Sequence, residues 1–252
     1  MYLVSLPSVD STNSEAQRRW QTSYPAPDSA AQAIAVVAEV QTAGQGRTGR
    51  YWQSPRGGLW LSVAWPMRGA PDGYQPLPLA VGLAAAQTIQ NCINISPWIK
   101  WPNDLLIDDK KVAGILCHAY PTWPTPAVIL GVGINANFEP EVLGGPLRQP
   151  ATTLQHELHH PIDLQALQNG LLEILQHHLH ILDRGDFADL LLPQIRARLA
   201  WLGQPVRYGP ETGESAVDGR FIGVDALGQA LIQTTSGTRA FCAHELRRAL
   251  PP

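Results

Sequence analysis

A short glycine- and arginine-rich segment between two apolar runs constrains this chain more than any other feature. The segment from Gln41 to Ser62 reads QTAGQGRTGRYWQSPRGGLWLS, and the apolar runs are residues 34–40 and 59–65. Glycines and arginines are interleaved within it, at Gly44, Gly46, Arg47, Gly49 and Arg50. Glycine lets backbone N–H groups approach a ligand closely, and arginine offers a planar fork of donors to carboxylate or phosphate. The pattern predicts two strands joined by an anion-gripping loop; a solvated basic loop is the alternative.

This loop matches neither common glycine pattern of nucleotide-binding proteins. A P-loop requires Gly-Lys followed by Ser or Thr, and that sequence does not follow Gly49. A dinucleotide-binding loop opens a helix, but the residues after Gly49 carry no helical pattern. The anion that the loop grips is therefore left open at this point.

Composition indicates a globular protein and narrows its partners. Of 252 residues, 15% are charged and 44% hydrophobic, which suits a sizeable core. A net charge of -3 argues against general nucleic-acid binding. The N-terminal residues show no signal-peptide pattern, and no apolar stretch approaches the ~20 residues of a membrane span. Three scattered cysteines are typical of a reduced protein, so we expect a cytoplasmic location.

The periodicity of apolar residues predicts a chain of alternating strands and helices. Strand-like runs occupy residues 33–40, 58–66 and 127–137, and helical spacing occupies residues 77–93, 162–182 and 187–202. Two further runs, 98–107 and 111–120, flank Asp108-Asp109-Lys110, a hairpin-turn sequence. Beyond Gly203 short β-like runs separated by glycines predict a small barrel. We expect an α/β (α+β) domain at 1–202 and an all-β domain at 203–252.

Two polar clusters within these runs are candidates for chemistry. In Trp101-Pro102-Asn103-Asp104 a proline interrupts a strand pattern, which indicates a bulge or an edge strand. Asp104 is a candidate Mg²⁺ ligand, because that ion prefers carboxylate and phosphate oxygens; a solvated Asp at an edge-strand kink is the alternative. Lys110 and Lys111 begin the next run. One of them is a candidate to point inward at an anion; a hairpin with two solvated lysines is the alternative.

A histidine-rich stretch formally matches a zinc-peptidase motif. His156-Glu157-Leu158-His159-His160 has the H-E-x-x-H pattern. That motif requires a helix, and Pro161 limits this one to a short turn. The other histidines of this region lie mostly off the Leu face of the next helix. A solvated histidine cluster is therefore favoured over a zinc site.

Several stretches in order make the chain resemble the biotin–protein ligase family. They are DSTN, the glycine-arginine segment, IKWPNDLLIDDKKVAGIL, VILGVGINAN, ATTL, PIDL and the β-rich tail, from about Val9 to Leu250. The resemblance implies a mixed-sheet catalytic domain of class II synthetase-like, biotin–lipoate ligase type with a small SH3-like C-terminal barrel. It also implies an ATP-dependent ligase: biotin and Mg-ATP give biotinyl-adenylate and pyrophosphate, and a carrier lysine then attacks the adenylate.

The resemblance also assigns site residues. Those implied for biotin are Ser11, Thr12, Asn13 and Gln41 at its ureido head, Gly44, Gln45, Gly46 and Arg47 around its carboxylate, and Gly114, which keeps a strand clear of it. Those implied for ATP are Arg47, Arg50, Trp52, Asn103 and Asn135, with Asp104 at Mg²⁺. Trp52 would stack on or cover adenine. Arg47 and Lys111 are implied as catalytic, because they neutralise the carboxylate and α-phosphate as these join.

The resemblance has two departures, and alternatives remain. Gln45 and Thr48 stand where the family often has arginine, so two cationic side chains are missing from the loop. Only about ten residues precede DSTN, so we expect no DNA-binding domain and no repressor role. The implied partner is the biotin carboxyl carrier protein of acetyl-CoA carboxylase, without DNA or membrane and with a homodimer possible. The alternatives are a lipoate–protein ligase or related acyl transferase of the same fold, and a biotin-sensing regulator without ligase activity.

Overall fold

A seven-stranded mixed sheet forms the larger part of the structure. The computed structural model describes residues 1–69, 71–144, 149–209, 216–242 and 246–249. The strands are Tyr2–Leu6 (β1), Ile34–Ala38 (β2), Leu59–Pro66 (β3), Trp98–Lys100 (β4), Asp104–Ile107 (β5), Lys110–Tyr120 (β6) and Ala127–Ile134 (β7). Their order is β1-β2-β3-β7-β6-β5-β4; β1 and β2 are parallel, and the other neighbours are antiparallel. The predicted mixed sheet is confirmed.

Six α-helices accompany the sheet within the described ranges. They are Thr12–Ser23 (α1), Leu77–Ile93 (α2), Leu154–Leu158 (α3), Leu164–Asp183 (α4), Phe187–Leu190 (α5) and Leu192–Arg196 (α6). Helix α1 is the crossover between the parallel strands β1 and β2, a connection that such a pair requires. Searching these helices for a membrane-crossing segment finds none with sufficient length and apolar character.

Alternation along the central strands separates the two faces of the sheet. Leu61 and Val63 of β3 point into the main core, which also contains buried residues of α2 and α4. Between them, Ser62 points to the opposite face, where it meets α1. On β7, Gly131 and Gly133 lie on this α1 face, because the alternate residues Leu130 and Val132 belong to the main core. Around Ser62, Gly131 and Gly133 the α1 face is therefore lined with small and polar residues, which leaves space for a ligand; elsewhere on this face Ala16 and Trp20 of α1 pack in a second apolar cluster.

A five-stranded antiparallel sheet follows near the C-terminus. Its strands are Pro205–Tyr208 (β8), Val217–Val224 (β9), Ala230–Thr234 (β10), Gly237–Phe241 (β11) and Leu246–Arg248 (β12), in the order β11-β10-β9-β8-β12. The predicted small all-β unit is confirmed. No pairing joins β11 to β12 within the described residues, so closure into an SH3-like barrel stays a prediction. Buried residues of this sheet belong to the same hydrophobic cluster as the main core, and the division at residue 202 also stays a prediction.

Two local predictions were wrong, and one strand was not predicted. The run 98–107 is two strands, because Trp101-Pro102-Asn103 forms a turn with a cis Trp101–Pro102 peptide; β4, which precedes this turn, is the edge strand that the proline indicated. The helix over 187–202 is the short pair α5 and α6, since Pro193 at the start of α6 has no N–H to continue α5. Strand β1 was not predicted at all, and its first residues are exposed at the sheet edge. The predicted turn at 108–110 is confirmed, with positive φ at Asp108 and Asp109.

Candidate active site

A cleft of about 830 Å³ on the α1 face brings together nearly all of the predicted site residues. Those that line it are Ser11, Thr12, Asn13, Gln41, Gln45, Gly46, Arg47, Arg50, Trp52, Asn103, Asp104, Lys111, Gly114 and Asn135. Gly44 is the exception, and it borders a neighbouring groove under the loop. A Cβ on Gly44 would lie 2.3 Å from the Trp52 carbonyl oxygen, so glycine is needed there for the loop to fold on itself.

One part of the cleft is a buried polar pocket at the start of α1. Gln41 Oε1 accepts from the Thr12 backbone N–H at 2.7 Å and from Thr12 Oγ1 at 3.0 Å. Ser62 Oγ donates to Asn13 Oδ1 at 2.5 Å and lies 2.7 Å from Thr12 Oγ1. All four residues are less than a tenth exposed. The pocket, which also includes Ser11, is therefore a rigid set of hydroxyl and amide groups, and Ser62 is a member that sequence reasoning missed.

The start of α1 is capped by Ser11 and Gln41 and not by Glu15. Ser11 is the N-cap residue, and its side chain accepts from the Ser14 backbone N–H. Glu15 binds Arg18 and Arg19 rather than a backbone N–H at the helix start. The free N–H of Thr12, a first-turn donor that a helix cannot satisfy internally, is taken by Gln41. This contact ties α1 to the first residue of the glycine-arginine loop.

The loop itself is folded by its own backbone bonds. The Gly46 N–H donates to the Arg50 carbonyl at 2.7 Å, and Gly49 has φ of 74° in the turn between them. Arg47 Nη1 reaches across the cleft to donate to Asn103 Oδ1 at 3.0 Å. Gln45, one of the residues that replaces a family arginine, contacts Ser14 Oγ at 3.3 Å. The loop thus carries Arg47 into the cleft.

A largely buried carboxylate between lysines, that of Asp104, forms the charged centre of the cleft. Asp104 Oδ1 pairs with Lys111 Nζ at 2.6 Å, and Asp104 Oδ2 lies 3.7 Å from Lys100 Nζ. Gln149 Nε2 donates to Asp104 Oδ2 at 3.0 Å, and Gln149 Oε1 accepts from Lys100 Nζ. Burial opposes ionisation of Asp104, but Lys111 and Lys100 outweigh it and lower the pKa of this carboxyl below its ordinary value. The centre is therefore an ionised carboxylate with two ordered cations.

The neighbouring Lys110 has a different partner. Its Nζ lies 2.8 Å from Glu157 Oε1, which also accepts from Thr152 Oγ1 at 2.5 Å. These bonds hold the pKa of Glu157 below its ordinary value even though burial opposes them. Glu157 is the acidic residue of the H-E-x-x-H stretch, and α3 ends at Leu158, before His160. The helix that a zinc-peptidase motif requires is therefore not formed there.

The indole of Trp52 lies on the floor of the cleft. A Cβ on Gly114 would lie 3.0 Å from Trp52 Cζ3, and one on Gly133 would lie 2.6 Å from Trp52 Nε1. The ammonium group of Lys111 lies 5.0 Å from the centre of the indole ring. Gly114 was implied to keep its strand clear of biotin; in this structure the space above it holds Trp52. Stacking of Trp52 on adenine stays a prediction.

The two predicted asparagines differ in how their amides are used. Asn103 accepts from Arg47 and donates to the Ile115 carbonyl at 2.8 Å, so both ends of its amide have protein partners. Asn135 donates to the Thr152 carbonyl at 3.1 Å, while its Oδ1 is buried and has no partner among the described residues. An unpaired buried acceptor is costly unless a ligand satisfies it. Asn135 is therefore the stronger ligand candidate, and Asn103 orients Arg47.

Other cleft residues were not predicted from the sequence. They include Lys100, Gly133, Gln149, Trp201, Arg247 and Arg248. Lys100 precedes a tryptophan and a proline, and its alternation with Trp98 on β4 gives only a weak signal that it points inward. Arg247 and Arg248 come from the small β sheet, and no local pattern relates them to the glycine-arginine loop. Fold-level contacts were needed to find them.

The donors around Asp104 fit a magnesium ion only together with a nucleotide. The carboxylate has about four lone-pair positions, and Lys111 and Gln149 each engage one oxygen. Two ammonium groups nearby disfavour a bare dication. Magnesium commonly binds through one or two carboxylates and substrate phosphates, whose charge would offset these lysines. Within the described ranges no cluster of three or more His, Cys, Asp or Glu is arranged as a metal site. Asp104 as a magnesium ligand stays a prediction.

Similar sequences belong to ligases of one family. The chain is 31% identical over 215 residues to the bifunctional ligase/repressor BirA of Bacillus subtilis, an alignment covering 81% of this chain and 62% of BirA. It is 29% identical over 253 residues to the biotin–[acetyl-CoA-carboxylase] ligase of Paracoccus denitrificans, covering 96% of this chain and 98% of that protein. The chain thus spans about three fifths of the length of the BirA relative.

Solved structures and a family model agree with these relatives. The biotin protein ligase of Aquifex aeolicus, solved with biotin and ATP, superposes with a TM-score of 0.81 at 29% identity, covering 98% of this chain and 99% of that one. The model of the biotin/lipoate A/B protein ligase family matches residues 7–135, which include the start of α1, the glycine-arginine loop and the charged centre. On this match, the chain belongs to the biotin/lipoate A/B protein ligase family.

Proposed function

We propose that this protein is a biotin–protein ligase that works in two steps. In the first step a carboxylate oxygen of biotin bonds to the α-phosphorus of ATP, and the bond to the leaving pyrophosphate breaks. In the second step a carrier lysine attacks the acyl carbon of the adenylate, AMP leaves, and the amine loses a proton. The observation that carries the proposal is one cleft that holds a buried polar pocket, the cations Lys111 and Arg47, and the unpaired acceptor of Asn135.

The polar pocket suits the ureido head of biotin. A cyclic urea presents one carbonyl acceptor and two N–H donors in a plane, and it needs several fixed partners of both kinds. Ser11, Thr12, Asn13 and Gln41 offer hydroxyl and amide groups, and each of these residues is less than a tenth exposed. Since Gln41 and Ser62 already orient Thr12 and Asn13, the pocket is organised before a ligand arrives.

The charged centre suits the joining of a carboxylate to a phosphate. Both groups are anionic, so their approach requires positive charge placed between them. Lys111 is held by Asp104, and Arg47 is held by Asn103. These two cations would bind the biotin carboxylate and the α-phosphate in reacting alignment, and Arg50 would contact the remaining phosphates. Magnesium would supply charge neutralisation of the phosphates when bound beside Asp104.

The nucleotide base would lie against Asn135. Its unpaired Oδ1 is an acceptor that the amino group of adenine would satisfy. Trp52 and the residues of the small sheet, among them Arg247, would complete the wall around the nucleotide. Closing this site would protect the adenylate, a mixed anhydride, from hydrolysis.

The names of the relatives support the choice of substrate and carrier. The Paracoccus denitrificans protein is named a biotin–[acetyl-CoA-carboxylase] ligase, and the Aquifex aeolicus structure contains biotin and ATP. By this likeness the acceptor here is a lysine of a biotin carboxyl carrier domain. The family model also covers lipoate ligases, so lipoate is the competing substrate.

Two measurements test the proposal. Purified protein with biotin, ATP and Mg²⁺ should release pyrophosphate, and adding a carrier domain should raise that domain's mass by one biotinyl group. The same assay with lipoate should give little product. Pyrophosphate release with lipoate and none with biotin would assign the alternative substrate, and release with neither would remove the ligase proposal.

A further inference from the structure

Gln149 links Lys100 to Asp104 of the charged centre through one neutral amide. Its Oε1 accepts from Lys100 Nζ and its Nε2 donates to Asp104 Oδ2 at 3.0 Å. Lys100 is 7% exposed and Gln149 is half-buried, so water competes weakly for these bonds. A glutamine amide is suited to this place, because it has one acceptor and one donor and carries no charge of its own.

The backbone around Gln149 is fixed to the strand that carries Lys111. The Lys111 N–H donates to the Pro150 carbonyl at 2.8 Å, and the Thr152 N–H donates to the Lys111 carbonyl at 3.0 Å. Ala151 pairs with Lys111 as an isolated parallel bridge. The segment 150–152 therefore runs along Lys111, which places the preceding residue, Gln149, beside the carboxylate that Lys111 contacts.

With the amide in place, the ammonium groups of Lys111 and Lys100 have different main partners. Lys111 has the closer contact with Asp104, at 2.6 Å, whereas Lys100 lies 3.7 Å from the other oxygen and bonds to Gln149. Without the amide, Lys100 can move onto Asp104 Oδ2 and compete with Lys111 for one carboxylate. The amide therefore helps to set where the charge of Lys100 lies, together with the Trp201 ring, whose centre is 5.4 Å from Lys100 Nζ.

We propose that Gln149 is a positioning residue for the nucleotide step: it holds Asp104 and Lys100 so that two separate cations face the phosphates. The role rests on the proposed ligase function, since it names a residue that acts on the ATP half of the same site. Among the described residues, Gln149 has no hydrogen bond to Thr12 or Gln41 of the polar pocket, so its effect should belong to ATP and not to biotin.

Two substitutions at position 149 test the two hydrogen bonds of the amide. Gln149→Met keeps the length of the side chain and removes both bonds. Gln149→Glu keeps an acceptor for Lys100 but loses the donor to Asp104 and adds a repelling charge. Both variants should lower the rate of pyrophosphate release by about 10- to 100-fold, the typical cost of a small misplacement of reacting groups. Both should also weaken ATP binding measured by calorimetry without biotin.

Gln155→Met is the matched control. Gln155 lies six residues further along, where its Nε2 donates to Glu139 Oε1 at 2.9 Å outside the cleft. This variant should keep parental ATP binding and rate, and all three variants should keep parental biotin affinity in the absence of ATP. A fall in biotin affinity equal to the fall in ATP affinity would indicate general damage and overturn the positioning role.

The remaining outcomes separate this inference from the proposed function. Parental ATP affinity in Gln149→Met, or parental rates in Gln149→Glu, would overturn the role of Gln149 while leaving the ligase proposal intact. If the parental protein releases no pyrophosphate but both Gln149 variants still bind ATP more weakly, the positioning role is supported and the ligase proposal fails.

Discussion

Two adjacent lysines at the start of β6 serve different parts of the molecule. Lys111 contacts Asp104 in the cleft, and Lys110 contacts Glu157 of α3. Successive side chains of a strand point to opposite sides, so neighbouring residues of identical chemistry separate into one group at the site and one outside it. The pair therefore offers a natural comparison between a functional and a structural lysine.

Replacing Lys111 by alanine should reduce adenylate formation by about 10²–10³, the usual cost of one pre-aligned charge contact in a transition state. The fold should persist, because Lys100 and Gln149 still contact Asp104. Lys110→Ala is the control; it should keep the rate and lose only stability through Glu157. Single-turnover pyrophosphate assays give both rates. Loss of activity in Lys110→Ala together with parental activity in Lys111→Ala would show that Lys111 is not the reactive lysine.

At the scale of single residues, the sequence revealed those that stand in recognisable stretches. The glycine-arginine loop and the KWPND and KVAGIL stretches located the cleft, and the resemblance chose Lys111. Lys100 and Ser62 stand inside these stretches and Gln149 outside them, but all three were missed, because each acts through a partner that only folding brings close. The distance along the chain from Gln149 to Asp104 is 45 residues. No local pattern carries that information.

The glycine-arginine loop is the element whose behaviour should respond to ligand. Arg50 is exposed near its tip, whereas Arg47 is half-buried and bound to Asn103. Trypsin should therefore cut the free protein first after Arg50. Biotin should slow the cut, and biotin with Mg-ATP should slow it further, because the carboxylate and phosphates engage the loop. The cut is followed by gel electrophoresis and mass spectrometry.

The exposed turn Arg184-Gly185 after α4 provides the control for this experiment. Cleavage there should not depend on either ligand. Equal ligand protection at both sites would indicate global stabilisation, and no protection at Arg50 would mean that the loop does not take part in binding.

Helices α2 and α4 meet at a histidine that was expected to be solvated. His178 is instead 3% exposed, and its Nδ1 lies 3.0 Å from the Ala80 carbonyl of α2. Burial lowers the pKa of His178 below its ordinary value of 6.5. Below pH 6.5 the unfolded chain therefore binds a proton that the folded chain excludes. The free energy of unfolding decreases as the pH is lowered, by up to about 1.4 kcal/mol for each unit by which folding depresses the pKa.

Urea unfolding at pH 7.5 and pH 5.5 measures this effect. The midpoint of the parental protein should fall at the lower pH, and His178→Gln should show a smaller fall, although it is less stable at both pH values. His160→Gln, at an exposed position, should behave as the parent does. An unchanged pH dependence in His178→Gln would assign the acid sensitivity to other groups, such as His118, whose pKa burial also lowers.

At the scale of elements, long periodic segments were predicted well and interrupted ones were not. The α2 range agrees with the sequence pattern, and α4 differs by two residues at its start. The helix predicted over 187–202 failed at Pro193, and the strand over 98–107 failed at Pro102. Both errors occurred where apolar spacing continued through a proline, because tertiary contacts rather than spacing decide how the chain resumes.

The whole molecule is joined by contacts between the large and small sheets. Trp101 is 2% exposed, and its Nε1 donates to the Gly228 carbonyl at 2.9 Å. Arg196 of α6 donates to the Val224 carbonyl at 2.7 Å. Near the cleft, Asp109 accepts from Trp201 Nε1 at 2.8 Å and pairs with Arg248 at 2.7 Å. The sequence predicted a small β unit, but composition alone does not show that it shares a core with the rest.

A chain ending at Leu202 tests this shared core. It would expose Trp101 and lose the ring of Tyr208 beside it, whose centre lies 6.2 Å away. Removing a large buried aromatic contact typically costs about 3–5 kcal/mol, which corresponds to a fall in Tm of roughly 6–20 °C for a domain of this size. The truncated chain should therefore melt earlier, show red-shifted tryptophan fluorescence and have impaired ligation. Trp101→Phe in the full chain removes the hydrogen bond to Gly228, and its Tm should lie between those of the truncated and parental chains. A truncated chain with parental Tm and full activity would show instead that the small sheet is an independent and dispensable unit.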